Sequence, residues 1–253
     1  MIRLRRFVLV LTLGLGRLAA AESVDLLLVA SNDDALRPVL AKISHPLSIT
    51  RGAWTCWTGE LGSKRIALTR AEGDPLNAVA ATTLAIRLHP PRLLVVFGAS
   101  RAHDASLNAG DIVVSEKFAA FDGFVSSVTP IEGGSRPLTW APLPHLAMTS
   151  GEAETPAMSF AADPAAAAIA LKLKIPNGRV LSGVLGSANQ INREADRISW
   201  LRATWHTSTE DGVSAHVAGC AALLSVPAIG ICVVGAPDSA AADFVLRFME
   251  ALP

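Results

Sequence analysis

The sequence predicts a single α/β domain in which a central mixed, mostly parallel sheet is flanked by helices. Three observations predict it. Short aliphatic runs alternate along the chain with longer, Ala-rich stretches of helical character. The run Val24 to Ala30 is apolar throughout, as expected of a strand covered on both faces. The length remaining after residue 21 suits one undivided α/β unit.

The first 21 residues are expected to be an export signal. Arg3, Arg5 and Arg6 form a positive start, Phe7 to Leu15 an apolar stretch short for a membrane span, and Ala19-Ala20-Ala21 a cleavage site ahead of Glu22. An uncleaved membrane anchor is the alternative. The assignment is therefore signal peptide over residues 1–21 and one domain over residues 22–253, working in the periplasm or outside the cell. No later apolar run is long enough to span a bilayer, so no membrane contact is expected after cleavage.

The elements follow in order. After the first strand, Thr55 to Glu60 and Lys64 to Thr69 form a hairpin around Leu61-Gly62-Ser63. Asp74-Pro75 opens a helix, with Asp as N-cap and Pro at the first helical position. Leu76, Val79, Ala80, Thr83 and Leu84 supply its apolar stripe, and His89-Pro90-Pro91 stops it. Leu93 to Phe97 is a second buried strand ending at Gly98, and Asp111 to Ser115 a third. From Thr129 to Phe160 Pro, Gly, Ser and Thr break the pattern, which predicts a surface excursion serving as a lid or an oligomer contact. A helix over Ala161 to Lys172 and a strand over Arg179 to Leu185 come next. Thr207-Ser208-Thr209-Glu210 has the form of a capping box before a helix carrying Val213, Val217, Cys220, Ala221 and Leu224. Ala228 to Val234 is the last core strand, and Asp238 caps a helix running to Leu252.

Composition excludes several functions. Four of the 22 basic residues (Arg3, Arg5, Arg6 and Arg17) belong to the leader, so the remainder is mildly acidic. With no Lys/Arg run or patch, nucleic acid is not expected as a partner. Cys56, Cys220 and Cys232 have no metal-ligand spacing and read as buried packing, with one disulfide as the alternative. No metal site, serine-hydrolase elbow or P-loop is present.

In sheets of this kind ligands bind beyond the carboxyl ends of the strands. The segments there are VASNDDALRPVL, EGDPLNAVAAT, VVFGASRAHDASLNAGDIVVS, SGVLGSANQINREADRISWL, STEDGVSAHVA and VPAIGICVVGAPD. In this order and spacing they resemble the nucleoside phosphorylase and nucleosidase superfamily. The similar branch is that of the methylthioadenosine/S-adenosylhomocysteine nucleosidases and their exported relatives, and the similarity covers nearly all of the chain after the leader. The resemblance implies a nucleoside phosphorylase-like fold, a homo-oligomer, cleavage of a purine N-glycosidic bond, a nucleoside or purine-like ligand, and no cofactor beyond phosphate as an optional co-substrate.

Breaking that bond leaves positive charge on the ribose and negative charge on the base. A carboxylic acid near the base therefore protonates the leaving group, a second carboxylate handles water, and a third holds the ribose hydroxyls. The resemblance places the water-handling acid at Asp34, whose other reading is a solvent-facing helix cap. It places a Gly-rich turn at Gly98-Ala99-Ser100-Arg101, with the hydroxyl displaced by one residue and a cation in a glycine position. Arg101 there either clamps phosphate, sulfate or a carboxylate, points to solvent, or blocks the pocket. His103-Asp104 reads as a brace for this turn.

Two positions depart from the family pattern. The ribose-holding Met-Glu pair falls on Gly212 and Val213, and valine accepts no hydrogen bond. The leaving-group Ser-Asp pair falls on Gly235 and Ala236. Asp238, two residues on, reads first as the cap of the final helix, and serves as the acid only if the loop reroutes. Asn189 and Asn192 can meet the base through their amides or form turns. Gln190 and Ile191 stand where a base-stacking aromatic is expected, while Trp54 and Trp57 read as core or oligomer contacts. His216 reads as a polar side chain near an interface. The sequence thus leaves three readings: an exported purine nucleosidase or phosphorylase using Asp34 and Asp238; a catalytically silent relative binding a nucleoside, nucleobase or small anion; and an enzyme that keeps the pocket for another ligand.

Overall fold

A computed structural model describes residues 22–128, 131–149 and 153–253, so the segment expected to be an export signal lies outside the described residues. The chain runs β1 (Val24–Ala30), α1 (Asp33–Leu40), β2 (Ser44–Arg51), β3 (Trp54–Leu61), β4 (Lys64–Arg70), α2 (Pro75–Leu88), β5 (Pro91–Ala102) and β6 (Ile112–Ala120). Short strands follow: β7 (Phe124–Val125), β8 (Ala141–Pro142), β9 (His145–Thr149), β10 (Ala153–Ala157) and β11 (Ser159–Ala161). The remainder is α3 (Pro164–Ala170), β12 (Val180–Ser187), α4 (Ala195–Trp205), β13 (Thr209–Asp211), α5 (Ser214–Leu223), β14 (Ala228–Val234) and α6 (Asp238–Ala251).

The main sheet is mixed, as the sequence predicts. Its order is β11-β6-β12-β13-β5-β1-β4-β3-β2, with β14 pairing both β5 and β6. The second pairing of β14 closes a ring, β5-β14-β6-β12-β13, from which β1, β4, β3 and β2 extend as an open sheet. β5 belongs to both parts. β1, β4, β5 and β14 run parallel to one another, and antiparallel pairs occur in the β2-β3-β4 meander, at β11 and within the ring.

Side chains alternate across the sheet and build two cores. Leu27 and Val29 of β1 face α2 and α5, whereas Leu26, Leu28 and Ala30 face α1, α3 and α6. Phe244 and Phe248 of α6 are buried in the second core, and each contributes on the order of 2–3 kcal/mol by leaving water. A smaller cluster joins Phe121, Leu201 and Trp205, which docks α4 beside the ring. The three cysteines are free and buried, which rules out the alternative disulfide. Among the described residues no helix is long and apolar enough to cross a membrane.

Several local expectations are corrected. Asp74 does cap α2, accepting from the amides of Leu76 and Asn77. The stripe buried by α2, however, is Ala78, Ala81, Thr82, Ala85 and Ile86, while Leu76 is 82% exposed and Val79 43% exposed. Small residues let the first turns of the helix lie close to the sheet, with Leu76 and Val79 turned outward and Ile86 buried further along. The proposed capping box at Thr207 to Glu210 is instead the loop leading into β13, together with most of that strand. Its residues pair with β12 and β5, and Val213 is the N-cap of α5. β5 runs on through Gly98 to Ala102, so the expected Gly-rich turn is strand. Among the described residues, the segment from 129 to 160 contributes the paired strands β9 and β10 and no wall of the cleft described below. The pair lies by α5, where Asp122 joins His145 of β9 (3.1 Å) to His216 of α5 (2.8 Å). That position fits a contact surface better than a lid.

Candidate active site

A cleft of about 680 Å³ opens at the carboxyl ends of β1, β5 and β12, between the starts of α5 and α6. Ser31, Asn32, Ala99, Arg101, Asn189, Glu210, Asp211 and Asp238 are among the residues lining it.

Asp238 is not the cap of α6. Pro237 holds that position and Gly235 turns the chain in the left-handed region (φ +53°), which reroutes the loop after β14. Asp238 therefore begins the helix with its carboxylate aimed back at the strand ends. Oδ1 accepts from Ser31 Oγ (2.8 Å) and from the Ala99 amide (2.7 Å), and Oδ2 accepts from Asn32 Nδ2 (3.1 Å). A carboxylate offers about four acceptor positions, so one position of Oδ2 is left unfilled on a residue that lines the cleft. Gly98 makes the arrangement feasible. A Cβ there would lie 2.2 Å from Ser31 Oγ, the hydroxyl that holds Asp238.

The opposite wall is built differently. Glu210 of β13 is 1% exposed. Its Oε1 accepts from Arg101 Nη1 (3.2 Å) and the Asn192 amide (3.0 Å), and its Oε2 meets His103 Nε2 (3.0 Å) and Asn192 Nδ2 (2.6 Å). Burial pushes the carboxyl toward its neutral form, but the hydrogen bonds from His103 and Asn192 outweigh it and hold the pKa below the ordinary value. Asp211 accepts from Ser187 Oγ, Ser214 Oγ, Cys232 Sγ and the amides of Val213 and Ser214. It caps α5 through those two amides, the task the sequence assigned to residues further upstream. Both acids are fully engaged by the protein.

The remaining expected residues separate. Asp34 is exposed in the first turn of α1 and lines no part of the cleft; Asn32 is the cap of that helix, and Asp33 pairs with Arg37 and Arg70. Ser100 lines the cleft, but its hydroxyl donates inward to the Val233 carbonyl (3.4 Å). Arg101 lines it with a side chain 52% exposed. Asn189 is on the wall and reaches Asp74 (3.5 Å), whereas Asn192 acts through Glu210. Gly212 packs against Gly73, whose carbonyl would be 2.5 Å from an added Cβ, and Val213 is 2% exposed. His103 and Asp104 brace β13 and α4, through Thr207 and Glu210 and through Arg202 (2.5 Å) respectively. Sequence reasoning missed Ser31, Asn32, Glu210 and Asp211 as site residues. The signal available for them was the rule that ligands collect beyond strand ends, since Ser31 and Asn32 follow β1 and Glu210 and Asp211 close the short β13.

The family model described as Phosphorylase superfamily matches residues 25–252. This chain belongs to that superfamily. Among characterised relatives, it is similar to the 5'-methylthioadenosine/S-adenosylhomocysteine nucleosidase of Pseudoalteromonas translucida, 30% identical over 80 residues, 32% of this chain and 34% of that protein. The nucleosidase of Psychromonas ingrahamii is 26% identical over 95 residues, 38% of this chain and 41% of that protein. The alignments thus span well under half the length of these relatives. Solved structures extend the fold likeness over nearly the whole chain. The nucleosidase of Neisseria meningitidis, in complex with methylthio-immucillin-A, superposes with a TM-score of 0.72 at 17% identity, over 90% of this chain and 99% of that one. A futalosine hydrolase mutant of Helicobacter pylori gives 0.71 at 15% identity, over 90% and 99%. Among the described residues no group of metal-ligating side chains occurs.

Proposed function

We propose that this superfamily member is an exported hydrolase of purine N-glycosidic bonds, acting as a homo-oligomer in the periplasm or outside the cell. The observation that carries the reading is the Asp238 carboxylate, held at the ends of β1 and β5 on the wall of the cleft with one acceptor position unfilled by the protein. In the reaction the bond between C1′ and the base nitrogen breaks, and its electron pair leaves with the base. The Oδ2 position that the protein leaves open carries the proton, Asp238 gives it to a ring nitrogen of the departing base, and the proton released by the attacking water replaces it. Water adds to C1′ and releases its proton, and phosphate in its place gives the phosphorolytic variant. The nucleosidase relatives support this choice of substrate class. The outward apolar face of α2, with Leu76 and Val79 exposed, supports self-association.

Two observations favour a second reading, a silent relative that binds a nucleoside or nucleobase. The Val213 side chain offers nothing to ribose hydroxyls, and Asp34 lies away from the cleft, where Glu210 and Asp211 are already engaged by the protein. Base release from methylthioadenosine, adenosine and inosine, with and without phosphate, decides between them. Turnover abolished by D238N establishes the hydrolase. No turnover together with a ligand-induced rise in Tm establishes the binder.

A further inference from the structure

The cleft has a cation to which the proposed hydrolysis gives no part and of which the described residues engage only one nitrogen. Arg101 stands on β5 two residues beyond Ala99, so the two project on the same side of the strand, about 7 Å apart along it. At one end of that interval the Ala99 amide holds Asp238. At the other the Arg101 guanidinium is anchored through Nη1 on Glu210, which is itself fixed by His103 and Asn192. Anchoring on a buried, immobile carboxylate fixes the direction of the guanidinium fork. Among the described residues, no protein acceptor takes its Nη2 or Nε.

The other donors near this point are already engaged. The Ala99 amide is held by Asp238 and the Ser100 hydroxyl by the Val233 carbonyl, so the strand offers an arriving anion neither of these groups. The acids beside Arg101 are satisfied from within the protein: Glu210 has four donors, and Asp211 five. A half-exposed, pre-oriented guanidinium with two open donors is suited to an oxyanion, which it grips in the fork geometry a carboxylate or phosphate requires.

We propose that the cleft recognises an anionic ligand, with an oxyanion on the open edge of Arg101 and a hydrogen-bonding base at Asp238. The base half rests on the function proposed above; the anion half rests on Arg101 alone. The oxyanion is either carried by the ligand, as a phosphate or carboxylate on the sugar side, or is free phosphate bound beside a neutral nucleoside.

The test uses the mature chain and its R101Q and R101K forms, titrated by calorimetry and thermal shift with inorganic phosphate, adenosine and adenosine 5′-monophosphate. If the oxyanion is ligand-borne, the monophosphate binds about tenfold to a hundredfold more tightly than adenosine. That preference disappears in R101Q and is partly kept in R101K. If it is free phosphate, inorganic phosphate raises Tm and tightens adenosine binding in the wild type and R101K but not in R101Q. Equal affinity for adenosine and its monophosphate, with no phosphate effect in any form, overturns the proposal, as does an anion preference undiminished in R101Q. The unliganded Tm of each variant separates lost binding from lost folding, since Gln and Lys can still donate to Glu210. Base release is scored separately, so an inactive protein that binds phosphate through Arg101 refutes the hydrolase reading and leaves this one standing.

Discussion

The two walls of the cleft hold acids of the same chemical kind in opposite conditions. On the β13–α5 wall, Glu210 and Asp211 are surrounded by donors from β5, β12, β14, the start of α5 and the loops holding His103 and Asn192, and are consumed in holding those parts together. On the β1–α6 wall, Asp238 is steadied by three donors and left one position short of saturation. Proximity to a cleft does not decide whether a carboxylate does chemistry. The number of its acceptor positions the protein already fills does, because a saturated carboxylate cannot engage a ligand without breaking bonds made on folding.

Substitutions can break this contrast, and the largest effect is expected at Asp238. D238N should lower base release by a hundredfold to ten-thousandfold, the usual cost of losing a general acid, while Tm changes little. Steady-state kinetics with a melting curve checks both halves. E210A should do the reverse and act first on stability, by about 3–5 kcal/mol in urea unfolding, because it strands His103 and Asn192 without their buried acceptor. Equal stability losses at the two positions would erase the distinction. G98A comes next. The added methyl displaces Ser31 from Asp238, and about 1–3 kcal/mol of stability should be lost together with activity.

A smaller effect is expected from pH. The folded-state pKa of Glu210 lies below its ordinary value of 4.5, so its contribution to stability is complete above that pH. It is lost as pH falls through the lower folded value. Acid unfolding of the wild type should therefore show a stability decline below about pH 4.5 that is shallower in E210Q. The smallest effect belongs to D34N, exposed and outside the cleft, which should change neither turnover nor Tm beyond about 0.5 kcal/mol.

Much of this fold is legible in the sequence because the signals are local. The apolar runs of β1 and β14 and the Asp74-Pro75 start of α2 depend on neighbours within a few residues. The face of α2 is hard to assign from sequence because apolar residues occur on more than one side of it: Ala78, Ala81, Ala85 and Ile86 are buried while Leu76 and Val79 are exposed. Thr209 and Glu210 match a helix-capping pattern, but pairing with β12 and β5 overrides it. The candidate site was less legible for the same reason. Whether Asp238 caps its helix or faces the cleft depends on Ser31, more than two hundred residues earlier in the chain. Asp34 has the right register in sequence, and the turn of α1 set by Asn32 directs it to solvent.

The closed ring of β5, β14, β6, β12 and β13 has a kinetic consequence. Its strands have neighbours on both sides, so the cleft-bearing end of β5 cannot fray without opening the barrel around it. Amides of Ala99 to Ala102 should exchange with deuterium only on the timescale of global unfolding, whereas those of the exposed edge strand β2 exchange through local opening. The recognition surface is thereby insulated from the motions of the sheet's free edge. Side chains on this surface can change while the strand frame that presents them persists.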